Sequence, residues 1–409
     1  MPFEADVGAG RGPLRYLWVT RVDPAPENNG ERLYSGRLID AVAAAGGEVD
    51  VLCFESDSSP WRPMGRNAGI AFWTVEPTQK PGWGSLLSRL PNFTYQNSSP
   101  EISARLRALL SQHQWDVVVL DGIAAGWALS VLESFGLVGS NGTRVVYVSH
   151  NHETSTRARV AQHYTSNPLM QGVLRYDSYK VAWLEGRMVQ AAHVVTAITD
   201  EDAQAFRHAA PGKRVVTLSP GYSGRRRETR HIGADTPRQA VIVGSFEWIA
   251  KKMNLEAFLD AADPLFAEAG IQLRVIGKGS PGFLEDLSRR MRATEFTGPV
   301  KEIGPYMADA RLAIVPELTG GGFKLKLLDY VFHRLPIVAI DGSLSGVPLR
   351  HGDSVLTYRT FDDLARGVVD SIDNVDLLNR LQDTAFERCD GRFDWRRRGE
   401  LFIDHTAYA

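Results

Sequence analysis

Along the chain, short runs of apolar residues alternate with longer segments whose apolar positions recur at helical spacing. That alternation is the pattern of an α/β protein built on parallel sheets. In the first half the apolar runs predict seven strands, over residues 14–20, 49–54, 69–75, 115–120, 144–149, 193–198 and 214–218. Between the first two, Leu33, Leu38, Ile39 and Val42 mark one face of a helix over residues 32–45. Gly46-Gly47 then ends it, because glycine accepts the left-handed conformation that follows a helix. A second series predicts strands over residues 240–243, 272–277, 295–298, 312–316, 335–340 and 354–358, with helices starting near Asn254, Gly282, Phe323 and Asp362. The two series imply two doubly wound domains. Between them Pro220 to Pro237 has no apolar periodicity and carries Gly221, Gly224 and the run Arg225-Arg226-Arg227, which reads as a solvated linker. Leu377, Leu378, Leu381, Phe393, Trp395 and Phe402 predict helices in the last segment.

Composition changes this picture little. The 409 residues allow two or three domains, and 46 Lys+Arg against 48 Asp+Glu leave a net charge of −2. No global attraction to nucleic acid follows. Cys53 and Cys389 are too few for a disulfide framework and fit a reducing compartment. No apolar run approaches the length of a membrane span, and Met1 to Gly12 lacks a basic start followed by an apolar stretch, so a soluble or peripheral protein is expected.

Candidate chemistry sits where open α/β sheets place it, at the carboxyl ends of strands. Gly8 to Gly12 precedes the first strand and reads as a tail, whereas Asp23 to Gly30 follows it and is a candidate ligand loop. Val315 to Tyr330 is the most informative stretch. A buried strand ends at Pro316, Gly320-Gly321-Gly322 allows close approach of backbone to a ligand, and a helix follows with Lys324 and Lys326 in its first turn. Two lysines there oppose the helix dipole, a conflict that a bound anion removes. The GxxxxGK[ST] spacing of a Walker loop is absent. In the first half, Ser149-His150-Asn151-His152-Glu153 follows a strand, but no third ligand at metal-binding spacing accompanies the histidines. No GxSxG elbow occurs, and Asp121 is the carboxylate that ends a buried strand. Trp61, Trp73, Trp83, Phe93 and Tyr95, with Arg62, Arg66 and Arg89, make residues 60–100 a loop-rich aromatic stretch, suited either to packing on its own domain or to an acceptor or lipid interface.

Gly46 to Val51, Gly244-Ser245-Phe246-Glu247-Trp248, and Gly320 to Tyr330 followed by Arg334 to Ala339 together resemble the GT-B glycosyltransferases of family 4. The resemblance spans nearly the whole chain and implies two Rossmann-like domains facing across a cleft. It assigns residues 1–222 to acceptor binding, 237–375 to the nucleotide sugar, and 376–409 to helices crossing back to the first domain. It further implies retaining sugar transfer from a UDP- or GDP-type donor to a glycan, lipid-linked or small-molecule acceptor in polysaccharide or glycoconjugate synthesis. No metal and no cofactor are expected, nor a nucleic-acid partner. The location implied is cytoplasmic, with peripheral contact at the inner membrane face and the oligomeric state left open.

By the same resemblance, His150 meets the donor sugar, and Lys252 and Lys326 act on the diphosphate in catalysis. Gly30, Gly244, Trp248, Lys251, Gly277, Lys278, Val300, Gly320, Gly321, Gly322, Phe323, Lys324 and Asp329 are implied to bind the nucleotide sugar. Asp329 stands at the second position of the family's Glu-x7-Glu pattern, where its carboxylate could accept both ribose hydroxyls, while Gly321 replaces the first glutamate. No direct role for Glu317 is expected. A sugar-nucleotide epimerase or hydrolase of the same fold, and a silent partner subunit, are the alternatives.

Overall fold

The computed structural model describes residues 12–27, 29–56, 68–139, 142–163, 167–318 and 322–407. Two compact units emerge. The first takes Met1–Pro220 together with Trp395–Ala409, and the second takes Gly221–Asp394.

The first unit holds β1 (Arg15–Val22), β2 (Glu48–Phe54), β3 (Ile70–Val75), β4 (Val117–Asp121), β5 (Arg144–Ser149), β6 (Val194–Ala197) and β7 (Arg214–Thr217). All pair in parallel, in the order β3-β2-β1-β4-β5-β6-β7. Helices on both faces of the sheet explain why β4 and β5 read as near-continuous apolar runs, since neither face of a central strand meets water. The helix Gly30–Ala44 starts at Asn29, whose side chain accepts the Arg32 amide at 3.0 Å, and a φ of +97° at Gly46 follows its end.

The second unit holds β8 (Gln239–Val243), β9 (Gln272–Ile276), β10 (Thr294–Gly298), β11 (Leu312–Val315), β12 (Ile337–Ile340) and β13 (Leu356–Tyr358). Again all pairing is parallel, in the order β10-β9-β8-β11-β12-β13. Both sheets therefore reverse direction of winding beside their first strand, between β1 and β4 and between β8 and β11. Those switch points are where doubly wound sheets open a crevice at their carboxyl edge.

Two boundaries differ from the sequence reading. Val375–Cys389, expected to cross to the first domain, stays with the second unit, because Leu378, Ala385 and Cys389 are buried in its two core clusters. Only Trp395–Ala407 returns to the first unit. There Phe402 packs on Trp18 with ring centroids 5.3 Å apart, and a Cβ on Gly399 would lie 2.0 Å from the Ala41 carbonyl oxygen. Secondly, the arginine run is not a solvated connector. Arg226 donates to the Phe393 carbonyl at 2.9 Å and covers the Phe332 ring at 3.9 Å, while the Arg227 amide donates to the Phe332 carbonyl at 2.8 Å. The Arg227 backbone amide thus closes the carbonyl end of the helix Lys326–Phe332, and Ile232 is fully buried in the second core.

Candidate nucleotide-sugar site

The carboxyl edge of the second sheet is assembled largely from backbone. Gly277 has a φ of +136°, and a Cβ there would sit 1.7 Å from the Gly244 carbonyl oxygen, so no other residue fits. The Gly277 amide donates to the Gly298 carbonyl at 2.9 Å, and the Phe246 amide donates to the Lys278 carbonyl at 2.6 Å. The residues after β8, β9 and β10 are thereby tied into one rim, with half-buried Val300 just beyond β10. Lys278 is exposed and pairs with Glu247 at 3.0 Å, and Trp248, which precedes the helix Ile249–Ala269, leaves 41% of its surface exposed.

At the end of β11 stands Glu317, its side chain only 13% exposed. Its carboxylate is paired with the Lys326 ammonium and lies 3.8 Å from that of Lys324. Burial opposes its charge, yet Lys326, Lys324 and Lys251 outweigh burial and hold the carboxyl down at about 2. The same environment lowers the Lys251 ammonium, through burial and the nearby Lys326, with Glu317 acting against both. Three ammonium groups act on one carboxylate. Glu317 thus resolves the conflict that the lysines posed at the helix start, in the place where the sequence argument put an anion. The helix itself, Lys326–Phe332, is only seven residues long, so side-chain charge rather than its dipole sets the local field.

Other predicted residues fall around this cluster unevenly. Lys251 belongs to it, whereas Lys252 donates to the Ser280 hydroxyl at 2.9 Å and lies over the Phe283 ring. Phe323 packs toward Phe393, with centroids 6.0 Å apart, and so serves the core of the unit. Gly322 has a φ of +76°. Gly320 and Gly321, like Trp61, Arg62 and Arg66, lie outside the described residues. Asp329 is largely buried. Burial raises its carboxyl to about 6 even though a hydrogen bond from Tyr222 favours the ionised form. Tyr222 also stacks on Phe332 at 4.7 Å, and the Tyr330 hydroxyl accepts the Val243 amide at 2.8 Å, which docks the helix onto the end of β8. Sequence reading missed Glu317 and Tyr222. The position of Glu317, next after Pro316 at the end of a buried strand beside the switch point, was the signal available for it.

In the first unit, the carboxyl ends of β4 and β5 bring Asp121 and His150 together. Nε2 of His150 lies 2.6 Å from Oδ1 of Asp121, and Trp18 donates its indole N–H to Oδ2 at 2.9 Å. Burial works against charge on both partners, but each stabilises the other's charged form, so His150 is raised and Asp121 lowered. Tyr34 meets the imidazole edge-on, with centroids 5.4 Å apart, and its hydroxyl donates to the Leu218 carbonyl at 2.8 Å. Gly30 opens the helix that carries Tyr34.

The neighbouring His152 and Glu185 have structural duties. His152 bonds Ser155 through Nδ1 at 2.7 Å and packs edge-on against Phe206. Glu185 accepts the Glu153 and Thr154 amides at 3.0 and 2.8 Å and so caps the helix Glu153–His163, and burial pushes its carboxyl up to about 7. Among the described residues, no group of three His, Cys, Asp or Glu side chains is placed to hold a metal ion.

Comparison with known proteins settles the family. The model described as "Glycosyl transferase 4-like domain" matches residues 29–221, and "Glycosyl transferases group 1" matches residues 237–374. The chain is a group 1 glycosyltransferase of the GT-B fold. Its structure is similar to that of Anabaena Alr3699/HepE in complex with UDP and glucose, at a TM-score of 0.63 and 13% identity over 97% of this chain and 100% of that one. WaaG, a glycosyltransferase involved in lipopolysaccharide biosynthesis, is similar at 0.61 and 15% identity, covering 96% of this chain and 100% of WaaG. Apo OtsA is similar at 0.63 and 13%, covering 97% and 99%. No curated protein sequence matches the chain. The fold and the enzyme class expected from the sequence both stand.

Proposed function

We propose that this glycosyltransferase moves a sugar, with retention of anomeric configuration, from a nucleoside diphosphate sugar to a glycan, lipid-linked or small-molecule acceptor in cytoplasmic polysaccharide or glycoconjugate synthesis. The observation that carries the reading is the gathering of three ammonium groups, Lys326, Lys324 and Lys251, on the single carboxylate of Glu317 at the carboxyl edge of the second sheet. A diphosphate complements such a cluster. The UDP, glucose and UDP-glucose complexes of HepE support the donor class.

The chemistry follows from where charge grows. As the glycosidic bond breaks, negative charge builds on the leaving diphosphate, and preset ammonium groups stabilise it without reorganising. The departing phosphate oxygen then takes the proton of the acceptor hydroxyl attacking from the same face. Asp329 accepts ribose hydroxyls. Both cysteines are free and buried, in keeping with a reducing compartment.

The test is a panel of UDP- and GDP-sugars incubated with and without candidate acceptors, with products read by NMR. Transfer to an acceptor with the donor's anomeric configuration is expected. Inverted product would refute retention, and release or epimerisation of the sugar at full rate without acceptor would show a hydrolase or epimerase instead.

A further inference from the structure

Glu317 stands where the sequence places a ligand's anion. The stretch from Val315 to Tyr330 gathers Lys324 and Lys326 after a buried strand, and the carboxylate that meets them belongs to the chain itself. All three side chains are withdrawn from solvent, Lys324 to 8% exposure, Lys326 to 12% and Glu317 to 13%. Lys251, in the helix Ile249–Ala269 that follows β8, adds its charge from the other side of the switch point.

Two other buried carboxylates are fixed by backbone. Glu185 accepts the Glu153 and Thr154 amides at 3.0 and 2.8 Å, and Asp263 accepts the Arg292 and Ala293 amides at 2.7 and 2.9 Å. Amides hold a carboxylate in one place. Glu317 is held by ammonium groups on flexible four-carbon stems, which can turn to another anion without moving the backbone. Toward such an anion the carboxylate acts in two ways. It competes for the three N–H donors of each ammonium, and it repels a second negative charge at short range. Both effects grow with the charge of the ligand. Near neutral pH a free nucleoside diphosphate carries about one more negative charge than its sugar ester, because a terminal phosphate loses its second proton at about pH 6. Glu317 therefore opposes the product more than the donor. Release of product limits turnover in many enzymes, and lysines alone would favour the more highly charged product.

We propose that Glu317 is a resident counter-ion of the lysine cluster that sets the site's preference for the donor over the released nucleoside diphosphate. The inference rests on the reading that this cluster takes the diphosphate, and adds to it a residue that acts through the lysines. Its test is calorimetric titration of the full chain with UDP, GDP and their glucose esters, on wild type, Glu317→Gln and Lys326→Ala. Glu317→Gln should bind the free nucleoside diphosphate about tenfold more tightly than wild type does, and the glucose ester only about threefold more tightly, so that product inhibition strengthens. Uridine or guanosine, which lacks phosphate, should bind both alike. Removing a carboxylate that served packing alone would weaken every ligand instead. Glu317→Asp keeps the charge on a shorter arm, should fall between wild type and Glu317→Gln, and serves in its place if Glu317→Gln does not fold. Unchanged or weaker binding of the diphosphate by the folded variant, or equal gains for diphosphate and ester, would overturn the proposal; the diphosphate reading would still stand on a loss of affinity in Lys326→Ala. Wild type that binds neither nucleotide, or Lys326→Ala that binds as well as wild type, would overturn that reading and the proposal with it.

Discussion

The two sheets share a winding order, yet their carboxyl edges solve the problem of buried charge in opposite ways. In the first unit Asp121 and His150 form a closed pair, with Trp18 taking the second carboxylate oxygen, and its net charge is zero when the imidazole is protonated. In the second, three lysine ammonium groups act on the one carboxylate of Glu317. A neutral pair orients a side chain. A cluster of lysines invites an anion, since half-buried cations gain free energy from a counter-charge. On the proposed function, the second edge is the one that takes the donor's diphosphate.

Three substitutions would break or sharpen this contrast. Lys326→Ala removes a charge on which the second edge depends, and turnover is expected to fall by roughly a thousandfold, about 4 kcal/mol of barrier. Its melting temperature should stay within a few degrees of wild type, and wild-type-like turnover would remove Lys326 from the mechanism. Glu317→Gln removes the carboxylate that the three ammonium groups share and should cost about 3 kcal/mol of stability in chemical denaturation. Because the folded carboxyl is depressed to about 2, this contribution is present above the ordinary glutamate range and disappears as pH falls toward that value. The difference between wild type and variant should therefore be flat from about pH 6 to 8. Added nucleoside diphosphate should also raise the melting temperature of the variant more than that of wild type, since it replaces the lost counter-charge.

Asp121→Asn is the smaller perturbation, about 2 kcal/mol. Its pH signature is the opposite one. The folded imidazole of His150 is raised, so the pair's contribution is full below the ordinary histidine value and is lost as pH climbs through the raised one. The lowered Asp121 carboxyl sets the acid limit, where the contribution is lost again as pH falls. Wild type and variant should thus converge at alkaline pH, and a constant gap up to about pH 9 would show that His150 is not charged in the native pair.

Much of the fold was legible because strands buried on both faces leave continuous apolar runs. All thirteen predicted strands are present, within two residues at nearly every end. Helix starts were less legible: the helix predicted near Asn254 begins at Ile249, and the one predicted near Phe323 begins at Lys326. The site was legible in part. Position after a strand drew attention to the stretch that carries Lys326, since carboxyl ends of parallel strands are recognisable in one dimension, while His150 and the glycine rim came from the family resemblance. What no spacing reveals is who neutralises whom. Glu317 and Lys326 are nine residues apart and joined through a loop, and Asp121 and His150 come from adjacent strands separated by 29 residues. Tyr222 was hidden for another reason. It lies in a segment without periodicity, which read as linker although its aromatic and arginine side chains bind it to the second unit.

The central claim, that the lysine cluster of the second unit holds the donor's diphosphate, is tested most directly by calorimetric titration of the full chain with UDP and with GDP. One of them should bind wild type and bind Lys326→Ala at least roughly tenfold more weakly, as expected for loss of a charged hydrogen-bonding partner. Failure of wild type to bind either nucleotide, or equal affinity in the variant, would contradict the account.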